Sequence, residues 1–319
     1  MPDVCFIGVD TSNYTTSLAA VDGEGRVLAN LKAPLPVQAG ARGLRQSDAV
    51  FAHVKNLPVL TEELRRCVED RKMLAAGVSK RPRDAEDSYM PCFLVGVSAA
   101  YALAAGFAAP VFEFSHQSGH MMAALASSGA PDAMLERPFG AFHVSGGTTD
   151  LLYVTPRDGG FDIERIGGSA DLHAGQAVDR IGVAMGLSFP CGPALERLAD
   201  DNHAAVPHAK IAVNDGICHL SGLENRALDL FQKTQDAPLT AAFTFDFIAK
   251  TLLKIALWAR DRHPGLPLVF AGGVMSNRRI AATLAAELGE GVYFAEPAFS
   301  ADNAAGVALL CRRRYLMQS

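Results

Sequence analysis

The chain alternates short apolar runs with longer stretches in which apolar residues recur at helical spacing. The runs Val4–Val9 and Ser17–Val21 predict two strands around a polar turn. Gly23-Glu24-Gly25 is a hairpin turn, and Val27–Leu31 is the next strand. Asp48 is expected to cap a helix through Val54 that stops near Pro58, with a second helix over Thr61–Asp70. Further along, Ala75–Val78 and Val111–Phe114 read as strands and Ala-rich Val97–Ala108 as a helix. His120–Ser128 is helical, Gly140–Val144, Leu151–Val154 and Ile163–Ile166 are strands, and His173–Met185 is a helix ending before Pro190-Cys191-Gly192-Pro193. After a mixed polar stretch, Ala194–Ala237, a long amphipathic helix is expected over Ala241–Arg260. Strand Leu266–Phe270, helix Arg278–Leu288, strand Val292–Phe294 and helix Asn303–Leu316 close the chain. This alternation predicts an α/β fold with helix-covered sheets.

Two distant segments share one pattern. Gly8–Leu18 reads GVDTSNYTTSL and His143–Leu152 reads HVSGGTTDLL. Each is strand, tight turn and strand, with hydroxyls and backbone N–H groups gathered at the turn, a concave nest suited to phosphate oxygens. Two copies about one domain length apart predict duplicated lobes with a phosphoryl or acyl-phosphate group held in a cleft between them. At 319 residues, two domains are expected. The division drawn from the pattern is 1–110 plus 300–319 for the first lobe and 111–299, with a helical insertion, for the second.

Composition narrows the function classes. A net charge of −5 means that nucleic-acid binding cannot rest on bulk charge and needs a local basic patch or helper proteins. Arg42, Arg45, Lys55, Lys80, Arg81 and Arg83 are candidates for such a patch, although Asp84, Glu86 and Asp87 follow and favour a solvated face. No apolar stretch reaches membrane-spanning length, and the N-terminus lacks the basic region of a signal peptide. The six cysteines show no CxxC spacing and read as thiols of a reducing compartment, so a cytoplasmic protein is expected.

Four motifs carry chemistry. In His116-Gln117-Ser118-Gly119-His120 the i, i+4 spacing puts both imidazoles on one helix face, where they can share a metal or simply be surface histidines. Gln117 stands where a zinc protease of the HExxH kind needs Glu as its base, which disfavours a metallopeptidase. Asp302 is either a helix N-cap or a third, anionic ligand. In Ala271–Asn277, Gly272 and Gly273 let a ligand approach the backbone and Asn277 can read a purine or ribose edge; an ordinary strand-to-helix turn is the alternative. Asp179, on a helix followed by Pro190–Pro193, is placed to accept from a ribose hydroxyl or to pair with Arg180.

Taken in this order, the motifs resemble the TsaD family, also called the Gcp or O-sialoglycoprotein endopeptidase-type family, over nearly the whole chain. The family's two histidines match His116 and His120, and its late Asp-Asn matches Asp302 and Asn303. Its VSGG matches Val144-Ser145-Gly146-Gly147, its nucleotide- or substrate-contacting Asp and Gly match Asp179 and Gly192, and its GGV…N matches Gly272, Gly273 and Asn277. The resemblance implies the actin-like ATPase (ASKHA) fold, with two lobes around a nucleotide. It also implies transfer of a threonylcarbamoyl group from its adenylate to an adenine in tRNA. One divalent metal, iron or zinc, ATP or ADP or the acyl-adenylate, helper proteins and a homo- or heterodimer are the expected cofactors and partners, with no membrane partner.

Several positions depart from the family pattern. The first turn usually carries an acidic pair, where this chain has Tyr14 and Thr15, leaving Asp10 as the acid of that turn and the expected base or water orienter. Ser12 and Thr16 would supply donors there, with Ser145 to Thr149 doing so in the second turn. Thr148 replaces the usual His, Leu172 and Gln176 replace Asp and Glu, Glu224 replaces Lys, and Ser79–Pro91 replaces a Gly-rich stretch. Besides the transferase, the sequence leaves open a paralogue that binds nucleotide and metal but acts on another acceptor or as a non-catalytic subunit. A small-molecule kinase is permitted by the fold.

Overall fold

A computed structural model describes residues 3–36, 44–85, 87–300 and 304–319. The chain divides into two compact units: residues 1–127, 155–163 and 298–319 form the first, and 128–154 and 164–297 the second. The boundary falls at Ser127/Ser128, later than the expected 110/111, because the strand and helix over 111–127 pair and pack within the first unit.

In the first unit β1 (Val4–Ser12), β2 (Thr15–Asp22), β3 (Val27–Pro34), β4 (Lys72–Arg81) and β5 (Val111–Ser115) form one sheet, ordered β3-β2-β1-β4-β5. The first three strands are an antiparallel meander; β4 and β5 add in parallel. β1 is buried at nearly every position, as a strand covered on both faces must be. Its alternate residues show the two coverings. A side chain at Gly8 would run into the C-terminal helix, whereas Val9 and Thr11 abut Gly96 of α2 (Phe93–Gly106).

The long helix α1 (Gln46–Cys67) runs through Pro58, where the sequence pattern predicted a break. Its buried face, Ala49, His53, Leu57, Leu60 and Leu64, keeps one helical stripe across the proline. That stripe offsets the one hydrogen bond proline removes. Asp48 is inside the helix and Arg45 stands at the N-cap. On the other covering, α3 (His116–Ser127) lies against the terminal helix α10 (Ala305–Gln318), a contact so close that a Cβ on Gly306 would overlap the Gly119 carbonyl oxygen.

The second unit repeats the plan. Its sheet is built on β6 (Phe139–Val144), β7 (Thr149–Arg157), β8 (Gly160–Ser169), β9 (Val213–Asn214), β10 (Ile217–Cys218), β11 (Leu268–Ala271) and β12 (Val292–Phe294), ordered β12-β11-β6-β7-β8-β10-β9, with the tip of the β7–β8 hairpin, 155–163, counted in the first unit. Reading β8-β7-β6-β11-β12 gives the same meander followed by two parallel strands as in the first unit, which is the duplication inferred from the paired turns. Phe142, Phe270 and Phe294 stack across β6, β11 and β12 at 4.5 and 5.2 Å between centroids and fix that register. Helices α4 (Ala174–Ala184), α5 (Gly192–Asp200), α6 (Ser221–Thr234), α7 (Ala237–Arg262) and α8 (Arg278–Leu288) bury their apolar faces in one core with the sheet. A four-residue helix, α9 (Pro297–Ser300), precedes α10. No helix of the described residues is long and apolar enough to cross a membrane.

Candidate active site

β1 ends in polar residues that cannot remain buried without partners, and the neighbouring elements supply them. Asp10 is fully buried and accepts from His116 Nδ1 at 3.0 Å. Its second oxygen, Oδ2, has no hydrogen-bond partner among the described residues. His116 opens α3, and His120 sits one turn later. Their Nε2 atoms face each other at 2.9 Å, with the rings nearly perpendicular at 80°. Phe93 packs edge-on against His116.

The tautomers follow from this chain of contacts. A carboxylate on Nδ1 keeps the proton there and leaves the His116 Nε2 lone pair directed at His120. Two facing imidazole nitrogens need either a proton or a cation between them. The donor set, two imidazoles with one oriented by a buried carboxylate, therefore fits a borderline divalent metal of the zinc or ferrous type. Asp302, the expected third ligand, lies outside the described residues, as does Asn303. No group of three His, Cys, Asp or Glu side chains is poised for a metal among the described residues.

The start of α3 is fastened by a loop that sequence reading had treated only as charged. Asp84 Oδ2 accepts from the hydroxyls of Ser115 (2.6 Å) and Ser118 (3.0 Å), and Ser115 in turn caps the Ser118 N–H at 3.0 Å. Arg81 pairs with Asp84 at 3.0 Å and Gln117 N–H donates to the Pro82 carbonyl. Lys80 pairs with Glu113. Two members of the candidate basic patch are thus spent on internal pairs, and Arg42 lies outside the described residues.

The first turn is a two-residue hairpin, Asn13-Tyr14, closed by the Ser12–Thr15 pair. It is less open than its hydroxyl content suggested. Thr16 is fully buried, with its hydroxyl 2.8 Å from His53 Nδ1 and accepting from Asn56 Nδ2 at 3.1 Å. Ser12 is nearly buried, and its hydroxyl lies 3.5 Å from the Thr15 carbonyl. Burial pushes the His53 ring below its ordinary pKa, against the opposing pull of the Ser12 carbonyl and the Asp10 charge. His53 and Asn56 carry no motif; a polar pair on the buried stripe of α1 was the available signal.

In the second unit the predicted ligand positions lie on strand ends, turns and helix starts, with Asp179 inside α4. Val144 ends β6, and the turn Ser145–Thr148 is closed by Ser145 N–H to the Thr148 carbonyl at 2.8 Å. The N-terminus of α4 abuts this turn: Gly175 N–H donates to Ser145 O, and Thr149 Oγ1 accepts from Ala174 N–H. Gly272, at φ 104°, backs onto Val144 so closely that any side chain would strike the Val144 carbonyl. By contrast Gly146, Gly147, Gly192 and Gly273 have open space where a Cβ would point. Asn277 caps α8 through Oδ1 to Ile280 N–H at 3.0 Å, while its buried Nδ2 lacks a partner among the described residues. Asp179 Oδ1 accepts from Cys191 N–H at 2.8 Å, beside Gly192. It also lines an open concavity of about 460 Å³ with Gln176, Arg180, Val183 and Phe189.

Asp171 opens the sequence motif that ends at Asp179, but the sequence assigned it no role. Its carboxylate bonds the Ser221 hydroxyl and accepts from the N–H groups of Leu172, Leu220 and Ser221, capping α6. Although desolvation works against the charge, these bonds together hold the carboxyl well below the usual carboxylate range.

The family model of the tRNA N6-adenosine threonylcarbamoyltransferases (TsaD) matches residues 89–309. The enzyme of that name from Streptococcus suis is 30% identical, over 99% of this chain and 94% of the relative. The one from Thermus thermophilus is 31% identical, over 99% and 93%. Among solved structures, the dehydratase component A of Acidaminococcus fermentans superposes with a TM-score of 0.53 at 15% identity, covering 98% and 99% of the two chains. A ROK hexokinase from Thermus thermophilus gives 0.53 at 18%, covering 99% of each. Full-length HypF gives 0.59 at 12%, covering 100% of this chain and 56% of that one. These structural likenesses show the fold, which is the actin-like ATPase fold in two duplicated α/β lobes.

Proposed function

The chain belongs to the TsaD family of tRNA N6-adenosine threonylcarbamoyltransferases, and from that membership we propose that it transfers a threonylcarbamoyl group from a threonylcarbamoyl adenylate to the N6 atom of a tRNA adenine. It is an acyltransferase by family. One observation carries the site assignment: two imidazole nitrogens converge at 2.9 Å with a buried carboxylate fixing the tautomer of one of them.

In this reading His116 and His120, with Asp302, hold one divalent metal. When bound, that ion supplies Lewis-acid polarisation of an acyl or phosphate oxygen. Asp10, fully buried and bonded to His116, is a positioning residue for that pair. The second unit's open backbone at Gly146, Gly147, Gly192 and Gly273, with Asn277 and Asp179, supports binding of the nucleotide part. The adenine N6 attacks the carbamoyl carbon, the bond from that carbon to the phosphate oxygen breaks with its electron pair leaving on AMP, and the N6 proton passes to water. Helper proteins deliver the donor and the tRNA. The six free cysteines support a reducing, cytoplasmic setting.

Labelled threonylcarbamoyl transfer to tRNA by the purified protein with its helper proteins tests the reading. Matched release of AMP and labelled tRNA is the expected result, and none of either in the complete system rejects it. A second reading, a binding subunit without turnover, is favoured by one observation: no exposed carboxylate stands in the β1–β2 turn. It predicts tight nucleotide binding without AMP release.

A further inference from the structure

The tip of the β1–β2 hairpin combines a heavily fastened backbone with one aromatic ring left outside. Thr11 Oγ1 donates to the Cys92 carbonyl and accepts from Gly96 N–H, both at 3.0 Å. Gln46 Nε2 holds the Asn13 side chain at 2.6 Å while Gln46 Oε1 takes the Cys92 N–H at 3.2 Å. The Tyr14 carbonyl accepts from Leu35 N–H at 2.8 Å. Below the tip, Thr16 is tied to His53 and Asn56 on α1. The turn is therefore anchored to α1, to the start of α2 and to the chain after β3.

The Tyr14 side chain takes part in none of this. It is 46% exposed and has no side-chain hydrogen bond or ring contact among the described residues. At about 3.3 Å rise per residue, its backbone lies on the order of 10 Å along the strand from Asp10, the residue that orients His116. A rigid tip that presents one exposed amphipathic ring, a few residues along the chain from Asp10, is a pre-organised surface for a flat ligand. The ordering cost has been met by the fold before binding. Bases are recognised in this manner, by stacking on aromatic side chains.

We propose that Tyr14 is a stacking platform for an adenine ring in this site. The inference rests on the transferase reading, in which both acceptor and donor carry adenine.

The test uses 2-aminopurine, whose fluorescence is quenched on stacking, in two arms: an anticodon stem-loop RNA carrying it at the acceptor position, and 2-aminopurine riboside triphosphate. Full-length wild-type protein should quench one of them. Tyr14→Phe should retain the quench, and Tyr14→Ala and Tyr14→Asp should lose it while keeping the wild-type Tm. Quenching of the RNA arm identifies the acceptor base, and quenching of the nucleotide arm the donor's. Where transfer is measurable, Tyr14→Ala should raise KM for the same ligand on the order of 5- to 100-fold, with a smaller change in kcat. Absence of quenching in both arms, or equal quenching by Tyr14→Ala, overturns the proposal. Quenching that depends on Tyr14 in a protein that transfers no threonylcarbamoyl group upholds the platform and rejects the reaction instead.

Discussion

Asp10→Asn separates orientation from structure at the centre of the site. The substitution keeps the shape of a fully buried side chain and removes its charge. Asp10 accepts from His116 Nδ1 at 3.0 Å, a charge-assisted bond of about 1.5–3 kcal/mol. An Asn that presents its oxygen keeps a weaker, neutral bond. An Asn that presents its NH2 instead drives the His116 proton to Nε2, where it blocks ligation. Either way the metal affinity should fall about 10- to 100-fold. Stability should move the other way. Asp10 Oδ2 has no partner among the described residues, so removing a buried charge relieves a desolvation cost in the metal-free protein. The assay is competition with a chromogenic chelator for Zn2+, and anaerobically for Fe2+, with thermal melts in EDTA alongside and His116→Ala as the loss-of-site control. The expected pattern is weaker metal binding with an unchanged or raised metal-free Tm. Wild-type metal affinity in Asp10→Asn would refute the orienting role, and a fall in both quantities would make Asp10 a structural strut.

Gly306→Ala should separate α3 from α10, cost about 1–3 kcal/mol, and weaken metal binding together with the Tm, since its Cβ meets the Gly119 carbonyl between the two histidines. Gly272→Ala should destabilise the second unit by at least as much in urea unfolding, because φ 104° and the Val144 carbonyl both oppose a side chain. Gly147→Ala meets open space and should leave the urea midpoint unchanged while lowering nucleotide affinity by calorimetry. His53, held neutral by burial, has a folded pKa below its unfolded value of about 6.5, so the unfolded chain binds more protons in that window. The stability this gives is complete above about pH 6.5 and is lost as the pH falls through the folded value; His53→Gln should show a smaller drop in urea midpoint between pH 7.5 and 5.

The duplicated fold was legible because each half repeats an apolar strand, a hydroxyl-rich turn and a second strand, and short apolar runs punctuated by tight turns are a local signal. The His116–His120 pair was legible for the same reason, both residues lying on one helical repeat. Contacts between distant segments were not. Asp10 meets a histidine 106 residues away, and nothing near it in sequence distinguishes an acid aimed at substrate from one aimed at an imidazole. Pro58 was read as a helix end because propensity is local, whereas the apolar stripe that carries α1 past it depends on the sheet beneath. Thr16 looked like a ligand hydroxyl until α1 placed His53 and Asn56 against it.

The departures from the family pattern sort by whether the structure compensates them. Glu224, where the family has a cation, pairs with Arg180 at 3.1 Å, so the anion is taken up in an ion pair between α4 and α6. Leu172 joins the core of the second unit, 5% exposed, and the adjacent Asp171 carries the polar duty of capping α6. Gln176 accepts from His173 N–H at the start of α4 and needs no charge to do so. Asp84, in the loop that replaces a Gly-rich stretch, fastens the helix bearing the histidines. Each of these residues has a pairing, packing or capping role in this chain. Tyr14 differs: among the described residues its side chain makes no hydrogen bond or ring contact, while the backbone of the turn stays pinned. Holding a turn rigid without its acid makes sense if what the turn presents is the ring rather than a base. In that case the chemistry leans on the metal-ligating pair and on the donor's own leaving group, and loss of the Tyr14 ring should act on ligand affinity more than on turnover.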